Sequence, residues 1–305
     1  MQFTSKHLLS IGDLSKEEVL YLINRAAELK SGWAKGLRPR PLADKAVALV
    51  FEKPSTRTRV SFEVAIKQLG GQCLFMASRD SQMARSEPLK DTARVLGRYV
   101  QGLVVRTFGQ EVVEELAAYA GIPVINALTD CYHPCQVLSD LLTVHERLGD
   151  VARPVYCWLG DGNNMAHSWL NAAGRLGLTL RLACPAGFLP DPGLVKAAKA
   201  RGADVLVTHD PKEAVAGAQV ISTDVWASMG QEDQAAGRRQ TFAGFTLDKA
   251  LLSGAAPQAL VLHCLPAHRG EEISEEVLEG PQSAVWDQAE NRLHMQKAIL
   301  EALIV

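Results

Sequence analysis

The 305-residue sequence has no long apolar run and almost no net charge. No stretch approaches the roughly 18 apolar residues that a membrane-spanning helix needs, so no membrane association is expected. The formal net charge is −2, without a long run of one sign, which disfavours nucleic acid as a partner because that requires a basic patch. The first residues lack the pattern of a signal or transit peptide. These absences predict a cytoplasmic protein.

The sequence also lacks paired cysteines and a complete dinucleotide-binding fingerprint. Its six cysteines are scattered, with no Cys-x-x-Cys pair, so neither a disulfide scaffold nor a structural zinc site is expected at this chain length. The segment Gly160–Asn164 follows an apolar run but does not have the G-x-G-x-x-G spacing. The next apolar run ends at Cys184 rather than at an acidic residue. We therefore predict neither a metal nor an organic cofactor.

What the chain does contain is a regular alternation of strand and helix patterns. Ser15 and Glu18 form a capping box at the start of an amphipathic helix that reaches about residue 30. Strands are predicted at 46–51, 72–77, 102–107, 123–127, 155–160, 179–184, 204–208, 220–225 and 259–264. Helices are predicted at 57–69, 88–99, 111–120, 135–148, 164–176, 192–201, 211–217, 274–279 and 287–304.

The turn at Gly149–Pro154 separates this pattern into two series. Two alternating series predict an α/β fold with two doubly wound parallel-sheet domains. We expect the domains, 1–148 and 149–286, to face each other across a cleft. The last helix, 287–305, is expected to cross back and pack on the first domain.

A phosphate-binding turn is predicted where the first strand runs into Lys-Pro-Ser-Thr-Arg-Thr-Arg. Free backbone N–H groups and the positive end of the following helix point at such a turn. Ser55, Thr56 and Thr58 add neutral donors. Arg57 can grip a dianion with two donors, whereas Arg59 diverges from it by roughly 200° on a helix and is assigned an orienting or ion-pairing role. A capped helix with a solvated basic first turn is the alternative.

Other unusual polar residues follow predicted strands in the same way. Arg106 ends the third strand, and His133–Gln136 follows the fourth. In the second series, Gly160–Asn164, Asp224–Gly230 and His263–Pro266 all follow strands. Because ligands bind at the carboxyl ends of strands in such sheets, these clusters predict one ligand-binding region.

The clusters together resemble a known family. Ser55–Arg59 with His133–Gln136 resembles the carbamoyl-phosphate site of the aspartate/ornithine carbamoyltransferases. Asp224–Gly230 and His263–Pro266 resemble the signatures of the ornithine-using members of that family, and the resemblance covers essentially the whole chain. It implies that L-ornithine and carbamoyl phosphate react to give L-citrulline and phosphate, without a metal or organic cofactor.

The resemblance also implies roles for the donor-site residues. Arg57 would hold the phosphate together with the three neighbouring hydroxyl groups. Arg106 would bridge the phosphate and the carbonyl oxygen. His133 would donate to that carbonyl oxygen, and Gln136 would accept from the carbamoyl amide. The reaction develops negative charge on the carbonyl oxygen, so donors aimed at it are what catalysis requires.

Four further residues are placed at the donor by resemblance. The main-chain carbonyls of Cys264 and Leu265 would take the remaining amide protons, and Arg292 would complete the charge stabilisation. A residue that matches Gln82 reaches the phosphate from a neighbouring subunit in the family. This implies a homotrimer with active sites shared between subunits, with higher assemblies left open.

The acceptor must be held by its α-amino acid end so that its side-chain amine meets the donor. Asp224 suits the α-ammonium group, and Asn163 can bind either end of the amino acid. Ser228 and the backbone N–H of Met229 suit the carboxylate. Asp224 and Cys264 lie close together in the family and could ease deprotonation of the amine, with Cys264 acting as a positioning or desolvating thiol.

Other functions remain open at the level of sequence. The same donor site could serve aspartate, putrescine or N-acetylornithine as the acceptor. A non-catalytic protein that binds a phosphorylated metabolite is another class, but it should have lost Arg57, Arg106 or His133, and all three are present. A dinucleotide-dependent oxidoreductase is disfavoured by the glycine spacing.

Overall fold

The computed structural model describes residues 3–77, 87–227, 233 and 235–305. These residues divide into two compact units. The first unit comprises Met1–Leu142 and Asn291–Val305, and the second comprises Thr143–Glu290. Among the described residues, no helix combines the length and the apolar composition that a bilayer crossing demands.

The first unit is built on a parallel sheet whose strands are apolar on both faces. The strands are β1 (Ala46–Phe51), β2 (Gln72–Ala77), β3 (Gly102–Arg106) and β4 (Val124–Leu128), in the order β2-β1-β3-β4. Every neighbouring pair runs parallel. Nearly all of β1 and β3 is buried, as expected for central parallel strands covered by helices.

The helices of the first unit follow the predicted alternation. They are α1 (Lys16–Ala34), α2 (Thr56–Gln68), α3 (Leu89–Tyr99), α4 (Gln110–Ala120) and α5 (Pro134–Leu148), whose last six residues belong to the second unit. The capping box is present: the Ser15 hydroxyl accepts from the Glu18 N–H, and the Glu18 carboxylate accepts from the Ser15 N–H. It fixes the start of α1 because it satisfies two of the helix's unpaired donors.

The last helix returns to the first unit. It begins at Val285 and ends at Ile304, and its residues from Asn291 onward belong to that unit. Arg25 in α1 donates to both carboxylate oxygens of Glu301, at 2.8 and 3.2 Å. Lys30 donates to Asn291 at 2.7 Å. These contacts place the C-terminal helix, α12, against α1, as the sequence pattern predicts.

The second unit has a five-stranded parallel sheet. Its strands are β5 (Val155–Leu159), β6 (Thr179–Ala183), β7 (Asp204–Thr208), β8 (Val220–Thr223) and β9 (Leu260–His263), in the order β7-β6-β5-β8-β9. Its helices are α6 (Asn164–Leu176), α7 (Pro192–Ala200), α8 (Pro211–Val215), α9 (Ala235–Thr241), α10 (Lys249–Leu252) and α11 (Glu275–Leu278). Helices α9 and α10, of seven and four residues, are not predicted from the sequence.

Both sheets confirm the predicted parallel α/β class. In the first, successive strands leave β1 in opposite directions, with β2 on one side and β3 on the other. In the second, β6 and β8 flank β5 in the same way. Each reversal leaves a crevice at the carboxyl ends of the strands, where ligands bind in open α/β sheets. The polar clusters predicted from sequence follow β1, β3 and β4 in one unit and β5, β8 and β9 in the other.

Candidate active site

The turn after β1 begins α2 with a side-chain cap. The Ser55 hydroxyl accepts from the Thr58 N–H at 3.2 Å and lies 3.0 Å from the Thr58 hydroxyl. Thr56 and Arg57 occupy the exposed first turn. Within the described part of the chain, Arg57 has no recorded hydrogen bond or ion pair, so its guanidinium is available to an anion. The unpaired backbone N–H groups of this first turn can also donate to an anion, and they carry partial positive charge.

Arg59 has the separate role that its helical position predicts. Its Nε lies 2.7 Å from Oε1 of Glu63, one turn further along α2. Its guanidinium carbon lies 3.6 Å from the centroid of the Phe75 ring. Arg59 is therefore paired and stacked away from the open first turn.

Arg106 lies beside the turn after β1 because of the sheet register. It pairs with Phe51 at the end of β1 and with Leu128 at the end of β4. Its carbonyl oxygen accepts from the Glu52 N–H at 2.8 Å. The side chain is buried, with 4 % of the residue exposed. A buried guanidinium at the carboxyl end of a sheet is costly unless it meets negative charge.

His133 precedes α5 and is buried near two cations. Burial holds its pKa well below the usual value, and the charges of Arg292 and Arg106 lower the pKa further. The imidazole is therefore neutral at neutral pH. A neutral imidazole can donate a hydrogen bond from one ring nitrogen without bringing in another charge.

A buried hydrogen-bond network joins α2, α5 and α12. Arg292 donates from Nη1 to Oε1 of Gln136 at 2.9 Å and from Nη2 to the Thr58 hydroxyl at 3.0 Å. Gln136 donates from Nε2 to Oδ1 of Asp140 at 2.8 Å. Sequence analysis did not select Asp140, although its place four residues after Gln136 puts both on one helix face.

In the second unit, Asn163 caps α6. Its Oδ1 accepts from the N–H groups of Met165 and Ala166, at 2.9 and 3.4 Å. Its Nδ2 is buried and has no hydrogen-bond partner among the described residues. Because Oδ1 is committed to the helix, Nδ2 is the atom of this side chain that can donate to a ligand. Gly162 precedes it, where a side chain would collide with the backbone of Pro190.

Asp224 and Cys264 lie together after β8 and β9, as predicted. Their ligand atoms and one from His263 all lie within 4.8 Å of one another. Burial raises the pKa of the Asp224 carboxyl, while the neighbouring His263 and a hydrogen bond with the Cys264 thiol oppose that rise. Oδ1 of Asp224 also accepts from the Val225 N–H at 2.8 Å.

His263 is held by hydrogen bonds at both ring nitrogens. Its Nδ1 accepts from the Leu265 N–H at 2.9 Å, so the hydrogen of the neutral ring is on Nε2. Nε2 lies 3.0 Å from Oε1 of Glu272, a fully buried carboxylate. Leu265 itself has a φ of 59° and a cis bond to Pro266. No role for His263 or Glu272 is predicted from the sequence, and Glu272 has no local signal that could have identified it.

Among the residues that the structure describes, two groups have the composition and spacing to hold a cation. One is Asp224 with His263 and Cys264; the other is His268, Glu271 and Glu272. In the first group both imidazole nitrogens of His263 are already hydrogen-bonded, so a metal ligand there would have to give up one of these bonds.

The structure connects most of the predicted residues within each unit. In the first, the hydrogen-bond network and the electrostatic contacts connect Ser55, Thr58, Arg106, His133, Gln136 and Arg292. In the second, Asp224 and Cys264 are adjacent, and Asn163 follows the neighbouring strand β5. Gln82, Ser228 and Met229 were also predicted, but they lie outside the described residues.

Two domain families match the chain. The carbamoyl-P binding domain of the aspartate/ornithine carbamoyltransferases matches residues 6–146. The Asp/Orn binding domain of the same family matches residues 155–303. These matches agree with the resemblance drawn from the sequence motifs.

Individual relatives agree over nearly the full length. The ornithine carbamoyltransferase of Desulfotalea psychrophila is 58% identical over 299 residues, which is 98% of this chain and 99% of the relative. The solved structure of the ornithine carbamoyltransferase from Pyrococcus furiosus has a TM-score of 0.94 at 46% identity, covering 98% of this chain and 96% of that chain. That from Gloeobacter violaceus has a TM-score of 0.89 at 49% identity, with 100% of both chains covered.

Proposed function

Because the chain belongs to the aspartate/ornithine carbamoyltransferase family, we propose that it transfers the carbamoyl group of carbamoyl phosphate to the side-chain amine of L-ornithine, giving L-citrulline and phosphate. One observation supports the donor half most directly: neutral His133 is buried near the charges of Arg292 and Arg106, which together with burial lower its pKa. Such a cluster suits a dianionic phosphate next to a neutral carbonyl group. We assign the binding of carbamoyl phosphate to residues 1–148 with 287–305, and the binding of the acceptor to residues 149–286.

The phosphate is bound at the N-terminus of α2. Arg57 provides two donors to its oxygens, and Ser55, Thr56 and Thr58 provide hydroxyl groups. The Thr58 hydroxyl oxygen accepts from Arg292 at 3.0 Å, so its own hydrogen is free to point elsewhere. Negative charge grows on the phosphate as it leaves, and these donors stabilise that charge.

The carbonyl oxygen of the donor is activated by Arg106 and His133. As the amine attacks, this oxygen gains negative charge, and both side chains donate to it. The Oε1 of Gln136 accepts from the carbamoyl amide, and Arg292, which holds that oxygen at 2.9 Å, adds positive charge. The main-chain carbonyls of Cys264 and Leu265 are assigned to the remaining amide protons.

The acceptor is held at its α-amino acid end. Asp224 pairs with the α-ammonium group, which offsets the cost of its burial. The unpartnered Nδ2 of Asn163 donates to the α-carboxylate. Ser228 and the Met229 N–H are assigned to the same carboxylate from the sequence alone. The nucleophile is a lysine-like amine with a reference pKa of about 10.4, and Asp224 with Cys264 eases its deprotonation.

The surroundings of Asp224 favour ornithine over the other acceptors. The side chains of His263 and Cys264 lie beside it. An aspartate acceptor carries a second carboxylate, which Asp224 would repel. Putrescine has no α-carboxylate and would leave the Nδ2 donor of Asn163 unused.

We further propose that the protein is a cytoplasmic homotrimer with active sites shared between subunits. The match of Gln82 to a family residue that reaches a neighbouring site supports the trimer. None of the six cysteines, which all lie among the described residues, forms a disulfide, and this fits a reducing compartment. Sedimentation equilibrium of the purified protein tests the trimer directly.

The function is tested by measuring citrulline with carbamoyl phosphate and four acceptors in parallel. We expect strong activity with L-ornithine and little with putrescine, N-acetylornithine or aspartate. Activity with another acceptor alone would retain the donor assignment and refute the acceptor assignment. No product with any acceptor would refute the carbamoyl transfer itself.

A further inference from the structure

Arg238 forms a buried bridge that the proposed reaction does not use. It lies in α9 with 8 % of the residue exposed. Its Nη1 donates to Oδ2 of Asp161 at 2.6 Å and to the carbonyl oxygen of Trp226 at 2.7 Å. The Asp161 side chain is only 14% exposed, so both charges of the pair are largely removed from water.

The bridge lies beside a cluster of aromatic rings. The guanidinium carbon of Arg238 lies 4.8 Å from the centroid of the Phe188 ring. Phe188 packs edge to face on Phe242 at 4.9 Å, and Trp226 stacks on the same ring at 5.7 Å. Burial raises the pKa of the Asp161 carboxyl, and Arg238 opposes that rise. The pair is thus largely buried next to an aromatic cluster.

The two groups that Arg238 joins each lie two residues from a proposed acceptor-binding side chain. Asp161 belongs to the turn after β5, and Asn163 follows it on the same turn. Trp226 belongs to the segment after β8, two residues beyond Asp224. The turn is also tied through the Asp161 carbonyl, which accepts from the Trp158 indole N–H at 2.9 Å. One guanidinium nitrogen therefore connects the segments that carry both groups.

We propose that Arg238 and Asp161 are positioning residues that set Asn163 and Asp224 at the separation required by the α-carboxylate and α-ammonium groups of the acceptor. This inference rests on the proposed function. A buried ion pair adds little net stability, so stability alone is a poor explanation for it. Small displacements of groups that bind a substrate, by contrast, have large effects on rate.

The test compares Arg238→Met, Arg238→Lys and Asp161→Asn with Arg239→Met as a matched control. Arg239 is the next residue of α9, but it pairs with Glu271 at 2.9 Å with its side chain 60% exposed. Each protein is assayed for kcat and for the KM of both substrates. L-Norvaline, an α-amino acid without the nucleophilic amine, is used as a competitor to measure binding of the α-amino acid end. Apparent melting temperatures are recorded in parallel.

We expect kcat/KM for ornithine to fall by about 10- to 100-fold in Arg238→Met and Asp161→Asn, the scale at which misplaced binding groups act. In the same two variants the inhibition constant of norvaline should rise, while KM for carbamoyl phosphate should stay within about twofold of the wild-type value. Arg238→Lys should recover part of the loss, because both hydrogen bonds come from one nitrogen. The control should behave as the wild type.

Unchanged ornithine and norvaline constants in the folded variants would overturn the inference. So would equal losses for both substrates together with a lower melting temperature, which indicate general damage. If Arg238→Met does not fold, Asp161→Asn and Arg238→Lys are judged by the same measurements. A wild-type protein that makes no citrulline refutes the proposed function, a result distinct from an active wild type with unaffected variants.

Discussion

Nε2 of Gln136 donates a 2.8 Å hydrogen bond to Oδ1 of Asp140, one helical turn further along α5. This bond fixes which way the Gln136 amide points, because a carboxylate can only accept. Oε1 of Gln136 is thereby turned toward Arg292. Asp140 is fully buried and belongs to the same hydrogen-bond network as the Arg292 guanidinium.

The first prediction concerns Asp140. Replacing it with alanine removes the acceptor that orients the Gln136 amide and leaves the amide free to rotate. We expect KM for carbamoyl phosphate to rise by about tenfold, which corresponds to the roughly 1.4 kcal/mol of one charge-assisted hydrogen bond. Asp140→Asn keeps an acceptor and should lose less. Glu114→Gln, an exposed carboxylate in α4, is the control in the same steady-state assay. An unchanged KM in Asp140→Ala would contradict the positioning role.

The second prediction separates the two arginines of the α2 turn. Arg57 is exposed with no recorded partner in the described chain, whereas Arg59 pairs with Glu63 and stacks on Phe75. Arg57→Lys keeps the charge but loses the two-donor grip on phosphate. It should lower kcat/KM for carbamoyl phosphate by about 100-fold, as loss of a transition-state donor does. Arg59→Lys should change kcat/KM by a few-fold at most, and a larger loss there would refute the assignment.

Most of the fold was predictable because the chain's local signals agree with its global structure. The strand β1 is predicted at 46–51 and is found at Ala46–Phe51. Its apolar run is bounded by polar residues, and a capped helix follows. Parallel strands that are buried on both faces show such runs clearly. By contrast, α10 has four residues and begins at an Asp248 cap, with no apolar period to reveal it.

The candidate site was predicted where its residues follow strands, and missed where they act through other residues. His133 and Asp224 stand in distinctive motifs directly after strands. Glu272 and Arg238 lie in segments without a motif, and their partners are 9 and 77 residues away in the chain. Only tertiary folding brings such pairs together, so one sequence gives no sign of them.

The third prediction concerns His133. Loss of a donor to the developing oxyanion should lower kcat by about 10²- to 10³-fold in His133→Ala, while His133→Gln, which keeps an N–H donor, should lose less. The pKa of His133 is depressed by burial and by Arg292 and Arg106, so its ionisation should not appear in pH–rate profiles between about pH 6 and 9. The variants should therefore keep the wild-type profile shape. An acid limb present in the wild type and absent from both variants would show that His133 titrates.

The fourth prediction is that Asp224→Asn lowers activity with ornithine but does not lower the stability of the fold. Asp224→Asn removes the charge that pairs with the α-ammonium group, so kcat/KM for ornithine should fall by about 100-fold or more. Binding of carbamoyl phosphate, measured by calorimetry, should be retained. Burial raises the folded-state pKa of this carboxyl above its unfolded value near 3.9. The wild type therefore loses stability as pH rises through the folded-state pKa, because the folded state disfavours the carboxylate.

The asparagine variant lacks this pH-dependent loss and keeps an oxygen that can accept from the Val225 N–H. Its apparent melting temperature should equal or exceed that of the wild type at pH 7, with the difference growing from pH 4 upward. Asp204→Asn, an exposed carboxylate at the start of β7, is the control and should show no such trend. If Asp224→Asn melts below the wild type by a margin that widens with pH, the charged carboxylate stabilises the fold and the proposed cost of its burial is wrong. If it melts higher but turns over ornithine normally, the result supports the cost of burying the Asp224 carboxylate. The same result would refute the proposed pairing of Asp224 with the α-ammonium group.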